Sequence, residues 1–211
     1  MTRPRVLLVD DHRMVAEGLS SLLGAEFELL GVVEDGRAMI SAAKALRPDV
    51  IVADISMPHL NGIYALAQLK AEDPDVKVVF LTMHAEVAYA RRALEEGAKG
   101  FVLKHSAPAE LVTAIRAALE GKTYVTPTLA GELFQAVRDG TPADPAAALT
   151  PRQREVLQLL AEGCSAKEIA GELGVSARTV EFHKYRMMEL LGLSNSAELV
   201  HFAIKHGIVP I

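Results

Sequence analysis

The sequence predicts two domains: a doubly wound α/β domain built on a five-stranded parallel sheet, then a small all-α domain of four helices. Short β-branched runs alternate with helical stretches as far as about residue 121. The last 62 residues carry no strand pattern but repeated helix-start signals. Trp is absent and aromatics are 5% of the 211 residues, so the core must be packed from Ala, Val, Leu and Ile, which suits helices laid on a parallel sheet. At this length two modest domains are expected rather than one.

In the first domain, 1–121, the strands are "RVLLVD" from Arg5, "FELLGVVED" from Phe27, "VIVAD" from Val50, "KVVFLT" from Lys77 and "KGFVLK" from Lys99. The intervening periodicity predicts helices at 13–23, 37–46, 61–72, 86–95 and 108–120. The third and fourth strands are apolar almost throughout, as strands covered on both faces should be. Residues 122–148 read as a linker. It holds a helix over 127–138, with Thr126 placed to cap, Pro127 at the first helical position and Gly140 as the stop, followed by the small, Pro-containing "TPADPAAA".

The final domain, 149–211, is rich in caps. Thr150 with Gln153 and Ser165 with Glu168 fit capping boxes, and Asn195 with Glu198 fits one with Asn at the cap. Helices are predicted at 151–162, 166–173, 177–191 and 196–206. "GVS" joins the second to the third, with Gly174 at the helix end, which is the spacing of a helix-turn-helix. On the helix at 177–191, Val180, Met187, Leu190 and Leu191 form the apolar centre with His183 at its edge. Glu181, Phe182, Tyr185, Arg186 and Glu189 fall on the opposite side. Two neighbouring exposed aromatics among Arg178, Lys184 and Arg186 mark a contact face. His183 reads as a hydrogen-bonding residue at the core edge, Cys164 as buried filler, and Glu181 as either a solvated charge or a partner that steadies Arg178 at i, i+3.

The chemistry concentrates at the carboxyl ends of the strands. Asp10 and Asp11 end the first strand and Asp54 the third, and in the strand order 2-1-3-4-5 these strands are neighbours at the switch point where ligands bind. Three converging carboxylates repel one another unless a hard divalent cation lies between them, and Mg²⁺ suits such oxygen donors. For Asp10 and Asp11 taken alone, the alternative is that they only cap the next helix. Thr82 and Lys104 end the fourth and fifth strands and bring a hydroxyl and an ammonium to the same rim. That set could neutralise and hydrogen-bond a phosphoryl group carried on a carboxylate.

The motifs "LLVDDH", "ADISMPHLNG", "FLTMH" and "GAKGFVLK" resemble the receiver domain of bacterial response regulators, in the family's order and spacing, over residues 5 to about 121. The resemblance implies a flavodoxin-like fold with Asp54 as phosphoacceptor. It implies further that Asp10, Asp11 and Asp54 with the Ser56 carbonyl hold Mg²⁺, that Lys104 pairs with the phosphoryl group, and that Thr82 and Phe101 form a switch. Ser56 and His84 stand where that family tunes dephosphorylation. The C-terminal "LTPRQREVLQLLAEGCSAKEIAGELGVSARTVEFHKYRMMELLGL" resembles the LuxR-type helix-turn-helix of the NarL/FixJ response regulators. This implies that the helix containing Thr179, Val180 and His183 enters the DNA major groove, and that the last helix serves dimerisation. Where family members commonly carry Lys and Asn, this chain has Glu181 and Phe182, so the resemblance conveys no target sequence.

The expected partners are a sensor histidine kinase, double-stranded DNA and a second copy of the chain. The overall charge is −5, and residues 141–211 hold 7 basic and 8 acidic side chains, so DNA contact must come from local arrangement. Lys167, Arg178, Lys184 and Arg186, with Thr179, Glu181, Phe182 and Tyr185, are the candidate DNA-contacting residues. No apolar run is long enough for a membrane span, and a lone Cys164 excludes an intrachain disulfide, so a reducing cytoplasm is expected. An enzyme is the competing class, since dehalogenase-like phosphatases also use a strand-end Asp. They normally carry a second Asp two residues on, where this chain has Ser56. A protein-binding regulator acting through Phe182 and Tyr185 is the third class.

Overall fold

A computed structural model describes residues 3–106, 108–138 and 145–209. They fall into two units, Met1–Thr141 and Pro142–Ile211. In the first, β1 (Arg5–Val9), β2 (Glu28–Val33), β3 (Val50–Ala53), β4 (Val78–Thr82), β5 (Gly100–Leu103) and β6 (Tyr124–Val125) form one parallel sheet ordered β2-β1-β3-β4-β5-β6. Helices α1 (Arg13–Gly24), α2 (Gly36–Leu46), α3 (Gly62–Glu72), α4 (Val87–Glu95) and α5 (Pro108–Leu119) connect the strands, and α6 (Pro127–Arg138) follows β6.

The sheet has six strands rather than the expected five. The added β6 has only two residues, too few for a period to show in sequence, and it pairs Tyr124 with Gly100 and Val125 with Phe101. With α6 lying against α4, the stretch read as linker is largely built onto the first unit. The Thr126 hydroxyl does not turn into α6: it accepts from Leu103 N at 3.2 Å and donates to Glu110 Oε2 at 3.3 Å. Gly140 and residues 141–144 lie outside the described residues, and Pro145–Ala148 form a short 3-10 turn.

Strands β3, β4 and β5 are buried along their whole length, which fits their apolar sequence. Val6, Leu8, Val52, Val79, Leu81 and Val102 pack on one side against Ala16 and Leu23 of α1 and Leu111 and Ile115 of α5. The alternate residues Leu7, Val9, Ile51, Phe80 and Phe101 are equally buried and line the other side. Strand register then aligns the rim. Val9 is level with Ala53, so Asp10 and Asp54 leave the sheet side by side, and Thr82 is level with Leu103, which brings Lys104 next to them.

The second unit is all-α: α7 (Pro151–Ala161), α8 (Ala166–Leu173), α9 (Ala177–Leu191) and α10 (Ser196–Lys205). Both capping boxes form, Thr150 with Gln153 and Ser165 with Glu168. At α10 Asn195 accepts from Glu198 N, while the Glu198 carboxylate reaches back to Ser194 N at 2.7 Å. Gly174 stops α8 in the left-handed region (φ 64°), and Ser176 caps α9 two residues later, giving the tight turn of a helix-turn-helix. Arg152 of α7 donates to Leu173 O at 2.6 Å and ties the first helix to the end of the second. Val156, Leu157, Ile169, Val180, Met187 and Leu199 make the core.

Candidate functional site

At the rim of the first unit, Asp54 N donates to Val9 O at 2.9 Å and Lys104 N to Thr82 O at 2.8 Å, so the sheet ladder itself carries these residues into place. The chain must then turn back sharply into α3. Gly62 N donates to Ile55 O at 2.8 Å, and a Cβ at Gly62 would stand 2.3 Å from the Asp54 carbonyl oxygen, so only glycine allows this approach. Asp10 and Asp54 are buried, at 2% and 6% exposure. Asp54 Oδ1 accepts from Ile55 N at 2.6 Å, and Asp10 Oδ1 accepts from His12 N at 2.9 Å.

The Lys104 ammonium donates at 2.7 Å to both Asp10 Oδ2 and Asp54 Oδ2. Burial works against the lysine charge, but the hydrogen bonds and charges of the two aspartates outweigh it and raise its pKa above the ordinary lysine value. Asp11 completes the cluster in a different way. Its Oδ1 is buried and accepts no hydrogen bond, with His12 Nδ1 2.9 Å away. One ligand atom from each of Asp10, Asp11, Asp54 and His12 lies within 4.8 Å of the others. An acidic, oxygen-dominated cluster with one orphaned acceptor fits a hard divalent cation.

Thr82 is fully buried, and its hydroxyl accepts from His84 N at 3.3 Å. Phe101 is also fully buried and pairs with Phe80 across β4 and β5. The Ser56 hydroxyl lies 2.7 Å from His84 Nε2, and the His84 ring stacks on Tyr89 with centroids 4.1 Å apart. Burial, with the Glu86 charge adding and Arg92 opposing, pushes the Tyr89 hydroxyl up to about 12. His12, Glu86 and Tyr89 were not singled out in the sequence. Ser56 follows β3, whereas His84 and Tyr89 lie at the β4–α4 junction, so nothing local marks Ser56 as their neighbour.

In the second unit, Arg178, Phe182, Tyr185 and Glu189 are all exposed and form one stripe of α9 at i, i+4, i+7 and i+11. Phe182 is 60% and Tyr185 63% exposed, opposite the buried Val180 and Met187. Two expectations need correction. Leu190 is 53% exposed rather than core, because the buried stripe is no wider than Val180, Met187 and the residues bordering them. Glu181 pairs with Lys184 on the following turn, not with Arg178. The Lys184 ammonium also sits 5.4 Å above the Tyr185 ring, and Arg186 pairs with Glu189 at 2.6 Å. Lys167 in the first turn of α8 and Arg178 in the first turn of α9 are exposed with no ion pair among the described residues, while Thr179 meets the Ser176 hydroxyl at 2.8 Å. His183 is half-buried, and burial and then the Arg152 charge lower its pKa. Cys164 is free and only partly buried.

Residues 6–116 match the model of the response regulator receiver domain, and residues 147–203 that of bacterial regulatory proteins of the luxR family. The chain therefore belongs to the response regulators that join a receiver to a LuxR-type helix-turn-helix. Transcriptional regulatory protein MctR of Rhizobium johnstonii is 36% identical over 208 residues, covering 97% of this chain and 95% of that protein. Transcriptional regulatory protein UhpA of Escherichia coli K12 is 38% identical over 196 residues, covering 92% and 94%. Among solved structures, RcsB of Salmonella enterica serovar Typhimurium bound to promoter P1flhDC with the phosphomimetic BeF3- matches with a TM-score of 0.64 at 29% identity. It covers 97% of this chain and 100% of that one. The family is one of transcription regulators rather than classical enzymes. Among the described residues, no helix is long and apolar enough to cross a membrane.

Proposed function

We propose that this chain is a cytoplasmic, phosphorylation-controlled transcription regulator. Its receiver, residues 1–121, accepts a phosphoryl group on Asp54 from the phosphohistidine of a sensor histidine kinase, and its domain at 149–211 binds DNA as a dimer through α9. The observation that carries this reading is the Lys104 ammonium shared between Asp10 and Asp54 beside the orphaned Asp11 oxygen, in a chain whose second unit is a LuxR-type helix-turn-helix. The DNA complexes solved for RcsB, two of them with a phosphomimetic, support the output half.

An Asp54 carboxylate oxygen attacks phosphorus, the P–N bond of the phosphohistidine breaks, and the electron pair leaves with the imidazole nitrogen. Asp10, Asp11, Asp54 and the Ser56 carbonyl would hold Mg²⁺, which when bound neutralises charge on the carboxylates and the phosphoryl oxygens. Lys104 then exchanges a carboxylate for a phosphoryl oxygen as hydrogen-bond acceptor, and the Thr82 hydroxyl, now facing His84 N, donates to another. With Phe101, Thr82 makes the switch. Self-phosphotransfer and slow hydrolysis are the only covalent chemistry expected. Asp54→Asn should abolish acid-labile labelling from acetyl phosphate, and excess chelator should abolish it in wild type. Labelling undiminished in either case removes Asp54 and Mg²⁺ from these roles.

A further inference from the structure

The exposed face of α9 has an unusual composition for a helix that would meet a polyanion. Its centre is two aromatic rings, Phe182 and Tyr185, one turn apart and each more than half exposed. The charges around them are mutually satisfied: Glu181 holds Lys184, whose ammonium lies over the Tyr185 ring, and Arg186 holds Glu189. Side chains that read base edges by hydrogen bonds need free donors or acceptors, and here Glu181, Lys184, Arg186 and Glu189 are engaged with one another on the helix, leaving Arg178 at its start. What the centre of the face offers is apolar surface. In a major groove the apolar feature of a base edge is the C5-methyl group of thymine, and 5-methylcytosine places the same methyl at the same position. We infer that Phe182 and Tyr185 make this helix a reader of C5-methylated pyrimidines in duplex DNA, taking thymine and 5-methylcytosine alike and discriminating against uracil and unmodified cytosine.

This rests on the reading of α9 as the DNA-contacting helix. The occupant is a duplex rather than another protein because the aromatic pair lies on the second helix of a helix-turn-helix. Moreover Arg178, exposed and with no ion pair among the described residues, stands in the first turn of α9, on the same stripe as the two rings, where phosphates flank a groove. The internal pairing of Lys184 and Arg186 lowers non-specific attraction to phosphate. A larger share of the discrimination then falls to methyl contacts, which do not depend on salt.

The test uses the full-length protein treated with Mg²⁺ and beryllofluoride, and duplexes enriched by it from a random-sequence pool. In the enriched duplex each thymidine is replaced in turn by deoxyuridine, which removes only the methyl, and each uridine-sensitive position is then refilled with 5-methyldeoxycytidine paired to deoxyguanosine. The expected result is a loss of about fourfold in specific affinity for each methyl removed at one or more positions, the fold-change that matches withdrawing one methyl-sized group from water. Recovery with 5-methyldeoxycytidine but not with deoxycytidine should follow, and the uridine penalty should disappear in Phe182→Ala or Tyr185→Ala. Both are exposed side chains, and unchanged helical circular dichroism establishes that the variants fold. Equal affinity for thymidine and deoxyuridine duplexes overturns methyl reading while leaving sequence-specific binding by α9 in place. A uridine penalty that survives in both alanine variants overturns its assignment to these rings. If the pool yields no enriched sequence and no duplex is bound, the reading of α9 as a DNA helix falls, and methyl reading with it.

Discussion

Lys104 Nζ stands 2.7 Å from Asp54 Oδ2, and the same nitrogen is 2.7 Å from Asp10 Oδ2, with all three side chains nearly buried. One ammonium thus offsets two carboxylates, with Asp11 nearby. Removing it leaves uncompensated charge in a place water barely reaches. Lys104→Ala should therefore destabilise the receiver by about 3 kcal/mol, as breaking a buried pair commonly does. Millimolar Mg²⁺ should restore part of the loss, because a divalent cation neutralises the same oxygens. Urea unfolding of both proteins in chelator and in Mg²⁺ measures this. Equal stability of variant and wild type in chelator contradicts it. Because the folded pKa of Lys104 is raised, its contribution is fully present below the ordinary lysine value and is lost only as pH rises through the higher folded value.

Gly62 offers a sharper geometric test. A methyl there would stand 2.3 Å from the Asp54 carbonyl oxygen, whereas a methyl at Gly18, inside α1, meets nothing within 4 Å. Gly62→Ala should cost roughly 1–3 kcal/mol through overpacking and slow the labelling of Asp54. Gly18→Ala should stabilise by about 0.5–1 kcal/mol through helix propensity and leave labelling alone. Thermal unfolding and acetyl phosphate labelling report both, and equal behaviour of the two variants contradicts the close approach.

The contrast between these two glycines shows what was legible. "ADISMPHLNG" carried the resemblance to a receiver domain but not that a side chain at its final glycine would meet the Asp54 carbonyl. The strands β1, β3, β4 and β5 were readable because β-branched runs ending in Asp, Thr or Lys declare both burial and rim. Three of the four C-terminal helices were readable because Thr150, Ser165 and Asn195 satisfy backbone donors locally, a matter of three-residue spacing, and α9 from the "GVS" turn that begins at Gly174; the cap at Ser176 appears only in the structure. What stayed hidden depended on contacts between distant segments or on rotamers. The two-residue β6 is held by backbone bonds to β5, from Tyr124 N to Lys99 O and from Thr126 N to Phe101 O, with the Thr126 hydroxyl engaged by Leu103 and Glu110. Ser56 meets His84 across 28 positions of sequence. Lys184 is three residues from Glu181, as Arg178 is on the other side, and spacing alone could not choose between them.

Thr82 should connect the acceptor to the output. Its hydroxyl now accepts from His84 N at 3.3 Å, and a phosphoryl group on Asp54 would compete for it. Beryllofluoride should strengthen dimerisation and DNA affinity in wild type by roughly 5- to 150-fold, the range of ordinary allosteric coupling. Thr82→Ala should still be labelled while losing most of that gain. Sedimentation and binding titrations with and without beryllofluoride decide it. Equal constants in both conditions for wild type point to a regulator indifferent to phosphorylation.

His183 gives the helical unit an acid sensitivity. Its pKa is lowered by burial and by the Arg152 charge, so the unfolded chain binds a proton more readily than the folded one. Stability from this residue is present above the ordinary histidine pKa and is lost as pH falls through the lower folded value. Thermal unfolding of the C-terminal unit within the full chain should weaken between about pH 7 and pH 5, and His183→Asn should flatten that decline. An identical decline in the variant assigns the sensitivity to other groups.

The pairing of Glu181 with Lys184 leads to an unequal pattern of salt dependence along α9. Lys184 is only 16% exposed at its side chain and already has a carboxylate partner, whereas Arg178 is exposed with no ion pair among the described residues. Arg178→Ala should lower the slope of log affinity against log salt by about 0.9, the value for one lost phosphate contact on B-form DNA. Lys184→Ala should change that slope less, because it removes a cation that is largely neutralised and leaves Glu181 free to repel phosphate. Glu181→Ala should do the reverse, tightening binding to random DNA and steepening the slope as Lys184 becomes available. The double variant Glu181→Ala with Lys184→Ala should then resemble wild type in its affinity for random DNA, since a closed pair and no pair present similar net charge to the backbone. Competition binding at several salt concentrations separates these cases. If Lys184→Ala costs as much slope as Arg178→Ala, the pair opens on DNA and Lys184 contacts phosphate directly.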